Sequence, residues 1–329
     1  MTQRLTFAKA INTGLRKALE RDPKVMLMGE DIGALGGVFR VTDGLAKDFG
    51  EDRVVDTPLA ESGIIGTAIG LALRGYRPVC EIQFDGFIFP AFDQITTQLS
   101  KMHYRSSGRL NLPVVIRVPY GGGIGAVEHH SESPEVLFAH TAGLRVVSPS
   151  DPQDAYTMIQ QAVASPDPVM FFEPKGRYWE KGDVDTDADP LAAASTLDGA
   201  RVLRAGTDVT LVAHGPTVAT ALKVADAAAA EGRSVEVVDL RAISPLDLTT
   251  VAASVRRTGR CVVVHEAPVL YGTGAEVAAR VTEECFYHLE APVLRVGGFH
   301  TPYPVAKLEH EYLPGLDRVL DAVDRVLAH

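Results

Sequence analysis

Residues 57–73 read TPLAESGIIGTAIGLAL and place one carboxylate at the start of an apolar segment. After Glu61, no charged residue occurs before Arg74. The exposed backbone N–H groups and the helix dipole stabilise an acid in the first turn of a helix, so its presence alone requires no catalytic role. A carboxylate at the mouth of a segment built for burial could also share a proton with a bound base.

The glycines of this segment favour a role in binding. Gly63, Gly66 and Gly70 fall on one face of the predicted helix. Each glycine inside a helix costs about 1 kcal/mol relative to alanine. We therefore expect this face to lie close to another backbone or to a ligand.

Residues 81–90, EIQFDGFIFP, supply an amide and three aromatic rings after a predicted strand. The rings could simply fill the core. One of them could instead stack on a planar heterocycle, which would add about 0.5–1.5 kcal/mol beyond burial. The segment thus offers Gln83, Phe84, Phe87 and Phe89, and the pattern alone leaves open which ring would stack.

A glycine-rich loop, YGGGIGA at 120–126, leads into the polar cluster EHHSESP at 128–134. Tight turns explain this loop and YGTGAE at 271–276 better than a dinucleotide-binding fingerprint does. The sequence contains no GxxxxGK[ST] phosphate loop and no HExxH metal motif. His130 could exchange protons near neutral pH, although adjacent histidines in a loop are equally often only solvated.

Composition narrows the class of protein. The 329 residues are 46% hydrophobic, which is enough for two cores. A formal net charge of -10 argues against a general binder of nucleic acid or anionic membranes, and no run of apolar residues is long enough to span a membrane. Three widely spaced cysteines without a CxxC pair predict neither a disulfide framework nor a zinc site. We expect a cytoplasmic protein with reduced cysteines.

Short β-branched runs alternate with helical patterns in both halves of the chain, which predicts an α/β fold with mostly parallel sheets and helices on both faces. Strands are predicted at 25–28, 78–84, 113–118, 144–147, 169–172, 208–213, 234–240, 260–265 and 292–296. Helices are predicted at 6–20, 62–73, 87–104, 152–164, 217–231, 246–256, 274–289 and 316–327. Residues 182–195, GDVDTDADPLAAAS, follow neither period. We therefore predict domains at 1–182 and 200–329, joined by an acidic linker at 183–199.

Five segments together resemble one known family: TPLAESGIIGTAIG, EIQFDGFIFPAFDQI, EHHSESPE, VMFFEPKGRYWEKG and SVEVVDLRAISPLD. In this order they are similar to the beta chain of thiamine-dependent 2-oxo acid dehydrogenases, the decarboxylating component of large multienzyme complexes. The resemblance covers nearly the whole chain. EIQF, HSESPE and FFEPK are more similar to the branched-chain 2-oxo acid enzyme than to the pyruvate enzyme. The resemblance implies a pyrimidine-binding first domain and a transketolase-type C-terminal domain.

The resemblance also implies roles for individual residues. Glu61 matches the carboxylate that hydrogen-bonds ring nitrogen N1′ of thiamine diphosphate, and Leu59 matches a contact position just ahead of it. Gln83 and Phe87 match cofactor-lining positions, with Phe87 where an aromatic ring stacks on the pyrimidine. His130 matches the active-site histidine.

Metal sites are implied in the same way. Related chains hold a structural potassium ion largely through backbone oxygens, at the positions that are here Val114, Ala162, Ser165 and Asp167. The GDG motif that binds the diphosphate and Mg²⁺ in thiamine enzymes is absent from this sequence, so an alpha subunit is expected to supply that half of the site.

Glu132 stands where related chains often carry glutamine, and this leaves the polarity around His130 open.

The implied activity needs partners. With an alpha subunit, in an expected α2β2 heterotetramer, the chain would decarboxylate branched-chain 2-oxo acids. It would then pass the acyl group to the lipoyl arm of the acyltransferase core, assisted by His130. Two alternatives stay open. One is a pyruvate-specific enzyme, because the substrate pocket is shared with the alpha subunit. The other is a non-catalytic scaffold that docks the acyltransferase core.

Overall fold

The computed structural model describes residues 2–192 and 196–329, which divide into two compact units. One unit is drawn from Met1–Tyr120 and Leu137–Leu197, and the other from Gly121–Val136 and Asp198–His329. Each unit has helices and a mostly parallel sheet, so the predicted α/β fold class is confirmed. The domain boundaries 1–182, 183–199 and 200–329 stay a prediction. Gly121–Val136, which a boundary at 182 assigns to the first domain, groups with the second unit.

The strands of the first unit are β1 (Thr2–Thr6), β2 (Val25–Gly29), β3 (Val54–Asp56), β4 (Arg77–Glu81), β5 (Val115–Tyr120), β6 (Arg145–Val147), β7 (Val169–Pro174) and β8 (Lys181–Asp185). Six of them pair in parallel in the order β6-β7-β5-β4-β2-β3. β1 and β8 form a separate antiparallel pair. In an all-parallel sheet the carboxyl ends of neighbouring strands share one edge, and polar residues that follow these strands converge there.

The helices of the first half are α1 (Phe7–Arg21), α2 (Leu45–Phe49), α3 (Glu61–Leu73), α4 (Met102–Arg105), α5 (Glu135–Ala139) and α6 (Pro152–Ala164). Local capping sets where α1 and α6 begin. The Thr6 hydroxyl accepts a hydrogen bond from the backbone N–H of Lys9. The Asp151 carboxylate caps α6, whose first residue is Pro152.

The second unit contains strands β9 (Arg201–Arg204), β10 (Val209–Ala213), β11 (Val235–Asp239), β12 (Ala242–Ser244), β13 (Cys261–Pro268) and β14 (Leu294–Gly298). Its helices are α7 (Val218–Ala230), α8 (Leu248–Thr258), α9 (Thr273–Cys285), α10 (Glu309–Tyr312) and α11 (Leu316–Leu327). The sheet order is β14-β13-β10-β11-β9, with only β9 antiparallel to its neighbour. One core cluster contains residues of α7 and α11, and another contains residues of α8 and α9.

Two predicted elements differ in the structure. The helix predicted at 87–104 is present but irregular: a 3₁₀ segment (Asp85–Ala91) containing Pro90 is followed by a π-helical turn (Gln94–Gln98) and a second 3₁₀ turn (Leu99–Lys101) before α4. The hydroxyls of Thr96 and Ser100 bond to carbonyls four residues back. Residues 182–195 were predicted to be neither helix nor strand. The first of them lie in β8, because their backbone pairs with β1. Among the helices that the structure describes, none combines the length and the hydropathy needed to traverse a bilayer.

Candidate functional site

Two carboxylates meet at the carboxyl edge of the first sheet. Glu30 directly follows β2, and Glu61 is the first residue of α3, the helix between β3 and β4. Both side chains are buried, each about 8% exposed. The pKa of Glu30 is raised first by burial and then by the negative charges of Glu61 and Asp31. The carboxyl edge of this sheet therefore holds two largely buried acids, Glu30 and Glu61.

Gln83 joins this group from the neighbouring strand, two residues after the end of β4. Its side-chain Nε2 donates to the Glu30 carbonyl at 3.4 Å and to the Asp31 carboxylate at 3.3 Å. β2 and β4 are paired in parallel, which explains why residues 53 positions apart lie together. Glu61 receives no side-chain hydrogen bond or ion pair from any residue in the described ranges 2–192 and 196–329.

Phe87 lies in a 3₁₀ turn, Asp85–Ala91, that packs against α3. Its ring meets that of Phe84 edge to face, with centroids 5.8 Å apart. A buried ion pair fixes the first residue of this turn: Nζ of Lys175 lies 2.7 Å from the Asp85 carboxylate. The position of Phe87 therefore depends on a charge pair that sequence reasoning did not identify.

A buried charged network supports the same strand ends. Arg117 on β5 donates to Glu81 at 2.6 Å and to both oxygens of Glu173 at 2.7 and 2.9 Å. The Tyr178 hydroxyl donates to Glu173 as well. Burial raises the pKa of Glu81, and the Arg117 charge opposes that shift. Because Glu81 is the last residue of β4, the network fixes the strand end from which Gln83 extends.

The surface beside Glu61 is open and apolar. Leu59 is 80% exposed, Gly63 and Gly70 are exposed, and Gly66 is half-buried. A Cβ added at Gly70 would meet no atom within 4 Å, and one at Gly66 would meet only Gln94, at 3.8 Å. The close backbone approach expected for these glycines is therefore not made by any described part of this chain.

His130 belongs to the second unit, on a loop that the backbone closes at its neck. The N–H of Gly121 donates to the carbonyl of Glu132 at 2.9 Å, and the N–H of His130 donates to the carbonyl of Val127 at 3.0 Å. The rings of His129 and His130 lie edge to face, with centroids 4.4 Å apart. His130 is half-buried, whereas His129 is exposed.

The four positions matched to a potassium ion lie where α6 ends and β5 and β7 begin. The Ser165 carbonyl accepts a hydrogen bond from Arg77, and the Ala162 carbonyl accepts one from the backbone of Ser165. The Asp167 carbonyl accepts from the Ser165 hydroxyl, and the Val114 carbonyl accepts from the backbone of Val169. Among the described residues, no group of three or more His, Cys, Asp or Glu side chains is arranged to hold a metal ion.

Glu30 is the residue of this edge that sequence reasoning missed. The sequence MGED at 28–31 follows a predicted strand, and polar residues directly after a parallel strand are binding candidates. Leu59, Glu61, Gln83 and Phe87 all fall in the first unit, whereas His130 falls in the second. Their roles stay predictions.

Comparison with known families accounts for both units. Residues 3–180 match the transketolase pyrimidine-binding domain, and residues 198–319 match the transketolase C-terminal domain. A solved split-gene transketolase, described as an inactive beta4 tetramer, has a TM-score of 0.78, with 98% of each chain covered at 24% identity. That likeness bears on the fold alone.

Curated relatives are similar over almost the full length. The chain is 63% identical to the pyruvate dehydrogenase E1 component subunit beta of Leifsonia xyli, covering 99% of this chain and 96% of that one. It is 56% identical to the 3-methyl-2-oxobutanoate dehydrogenase subunit beta of Mycobacterium tuberculosis, covering 99% and 93%. The family predicted from the sequence is confirmed: this chain belongs to the beta subunits of the 2-oxo acid dehydrogenase E1 components.

Proposed function

We propose that this chain holds the pyrimidine half of thiamine diphosphate and, with an alpha subunit, decarboxylates branched-chain 2-oxo acids. The observation that carries the proposal is Glu61. It is buried at the edge of the sheet, beside Glu30, and no described side chain bonds to its carboxylate. Its carboxylate is therefore open to a ligand that donates a hydrogen bond.

The residues around Glu61 suit an aminopyrimidine ring. In our proposal the Glu61 carboxyl holds a proton at ring nitrogen N1′, Gln83 orients the ring, and Phe87 and Leu59 provide apolar contacts. The bound cofactor supplies the electron sink that lets a 2-oxo acid lose CO₂. The part of this chain is to exclude water around the ring and to hold the proton at Glu61.

An alpha subunit completes the site in this proposal. The sequence carries no GDG motif, so the diphosphate and its Mg²⁺ would be bound by the partner. The open face of α3 and the exposed Leu59 are where we expect the alpha subunit to pack, in an α2β2 heterotetramer. Potassium at the carbonyls of Val114, Ala162, Ser165 and Asp167 belongs to the proposal as well. Carbonyl oxygens suit that ion, although Arg77 already bonds to one of the four.

His130 acts, in this proposal, when the acyl group leaves for the lipoyl arm of the acyltransferase core. An imidazole can donate a proton or stabilise developing charge at that step. Glu132, close behind it on the same loop, adds negative charge to the surroundings. The role predicts that loss of His130 affects acyl transfer more than it affects decarboxylation.

A pyruvate-specific enzyme is the second candidate, favoured by the 63% identity to a pyruvate dehydrogenase subunit. The test is to reconstitute this chain with a GDG-containing alpha subunit and compare kcat/KM for 2-oxoisovalerate and pyruvate. We expect a preference for 2-oxoisovalerate of about tenfold or more, because extra methyl groups in a matching pocket contribute about 1–3 kcal/mol. A preference for pyruvate supports the second candidate.

The scaffold alternative is tested with the same reconstituted pair. A chain that only docks the acyltransferase core has no need of Glu61, Gln83 and His130. We expect the triple substitution Glu61→Gln, Gln83→Ala and His130→Ala to abolish cofactor-dependent decarboxylation while the subunits still assemble. Full activity of the assembled triple variant would favour the scaffold.

A further inference from the structure

The glycine loop at 121–125 is fastened by two carboxylates that lie far away in the sequence. The N–H of Gly122 donates to Glu266 at 2.9 Å. The N–H of Gly123 donates to Glu309 at 3.0 Å, and the N–H of Gly125 donates to the same carboxylate at 3.2 Å. Loop and carboxylates all belong to the second unit.

The conformation of the loop explains why glycine is required there. Gly123 has φ +92°, a left-handed conformation that other residues rarely adopt. A Cβ on Gly122 would collide with the Tyr303 hydroxyl oxygen. Successive N–H groups in such a loop form a concave donor site for an anion, and here the anion is the Glu309 side chain.

Glu309 is itself held in place. The buried Tyr303 hydroxyl donates to Glu309 at 2.8 Å. Burial and then this hydrogen bond raise the pKa of Tyr303, so the phenol keeps its proton. The ring of Tyr303 meets that of Tyr312 at 4.9 Å, and Arg318 bonds to the Tyr312 carbonyl at 2.9 Å.

The hydrogen bonds of Glu309 are connected to His130 through the backbone of one loop. The N–H of Gly121 is bonded to the carbonyl of Glu132, so residues 121–132 form a loop closed at its neck. Glu309 fixes one limb of that loop, and His130 lies on the other limb. Without the bonds to Gly123 and Gly125, glycine backbone is free to change conformation, and the limb carrying His130 would move with it.

We propose that Glu309 is a positioning residue: by binding the backbone of Gly123 and Gly125, its carboxylate fixes the loop that presents His130 for acyl transfer. The proposal rests on the proposed role of His130. It differs from a purely structural role because it predicts a selective loss of one step, without a loss of fold or of decarboxylation.

The test combines exchange and kinetics on Glu309→Ala, Glu309→Gln and Tyr303→Phe, with Glu311→Ala as the matched control on the same short helix. In hydrogen exchange of the full chain, we expect peptides covering 121–132 to exchange about tenfold faster in Glu309→Ala. Glu309→Gln keeps an accepting oxygen and should be intermediate, as should Tyr303→Phe. The control should exchange as the wild type does.

In the enzyme reconstituted with its alpha subunit, Glu309→Ala should lower the kcat for reductive acylation of a lipoyl domain about tenfold. Decarboxylation followed with an artificial electron acceptor should stay within about twofold. Adding Glu309→Ala to His130→Ala should cause no further loss.

Loop exchange equal to that of Glu311→Ala, or equal losses in both assays, would overturn the proposal. If His130→Ala itself acylates the lipoyl domain at the wild-type rate, the proposed role of His130 fails, and with it the claim about acyl transfer. Slower exchange of residues 121–132 in the wild type than in Glu309→Ala would then show only that Glu309 stabilises the loop.

Discussion

The carboxyl groups of Glu30 and Glu61 interact at the edge of the first sheet, and the negative charge of Glu61 contributes to the raised pKa of Glu30. The two residues come from different elements, one directly after a strand and one at the start of a helix. Their proximity concentrates negative charge where a protonated heterocycle could be bound. It also couples the titration of one acid to the charge of the other.

Glu61→Gln should therefore lower the pKa of Glu30, because the like charge is removed while burial is kept. A raised carboxyl pKa gives stability that is present at low pH and lost as pH rises through the folded-state pKa. The variant should lose less stability over that rise than the wild type does. The ¹³C carboxyl resonance of Glu30, assigned by its absence in Glu30→Gln, checks the titration midpoint. An unchanged midpoint would contradict the interaction.

Gly70→Ala should have opposite effects on the stability of the isolated chain and on its assembly with the alpha subunit. No atom lies within 4 Å of an added Cβ, so alanine should raise the free energy of unfolding of the isolated chain by about 0.5–1 kcal/mol. If α3 packs against the alpha subunit, the same methyl group should weaken assembly by about tenfold or more. Urea unfolding and analytical ultracentrifugation measure the two effects.

Asp321→Ala, an exposed substitution on α11, is the control for helix propensity and should leave assembly unchanged. Tight assembly of Gly70→Ala would show that this face is not where the alpha subunit binds.

Replacing only one residue of the buried ion pair between Asp85 and Lys175 should strongly lower the free energy of unfolding. Lys175→Met removes the cationic partner of a buried carboxylate, and the free energy of unfolding should fall by about 3–5 kcal/mol. Lys175→Met combined with Asp85→Leu should recover most of that loss. Asp48→Asn, which removes an exposed ion pair to Arg16, should cost about 1 kcal/mol or less. Equal losses for the buried and exposed pairs would contradict this reasoning.

His265 should make the stability of the second unit depend on pH. Burial first, and then the charge of Arg295, lower the pKa of its imidazole from 6.5 to about 4. The unfolded state therefore binds a proton that the folded state does not, so stability is lost as pH falls from about 6.5 toward 4. One such group contributes a slope of up to about 1.4 kcal/mol per pH unit. His265→Asn should flatten the decline between pH 6.5 and 4.5, and the exposed His288→Asn should not. A wild-type slope in His265→Asn would contradict the assignment.

The sequence was informative wherever the evidence was local. The helical period predicted α6 and α11 at their observed bounds. The isolated carboxylate of Glu61 was singled out from the sequence alone, and the structure places it at the first residue of α3.

Relationships between distant segments could not be predicted. The position of Glu30 beside Gln83 depends on the pairing of β2 with β4, and Glu309 reaches Gly123 across 186 positions. Arg117 lies in a run with the pattern of an ordinary buried strand, and its ion pairs with Glu81 and Glu173 become visible only in the folded sheet. The helix at 87–104 shows a smaller limit: its apolar pattern predicted helical backbone, but did not predict the change from 3₁₀ to π to α geometry along it.

The turnover of Glu61→Gln, reconstituted with the alpha subunit at saturating thiamine diphosphate, tests the central claim most directly. Glu51→Gln, an exposed acid close by in sequence, is the matched control and should behave as the wild type. We predict that Glu61→Gln lowers kcat about 100-fold or more, because glutamine cannot hold the proton at the ring nitrogen. Turnover near that of the wild type would contradict the account.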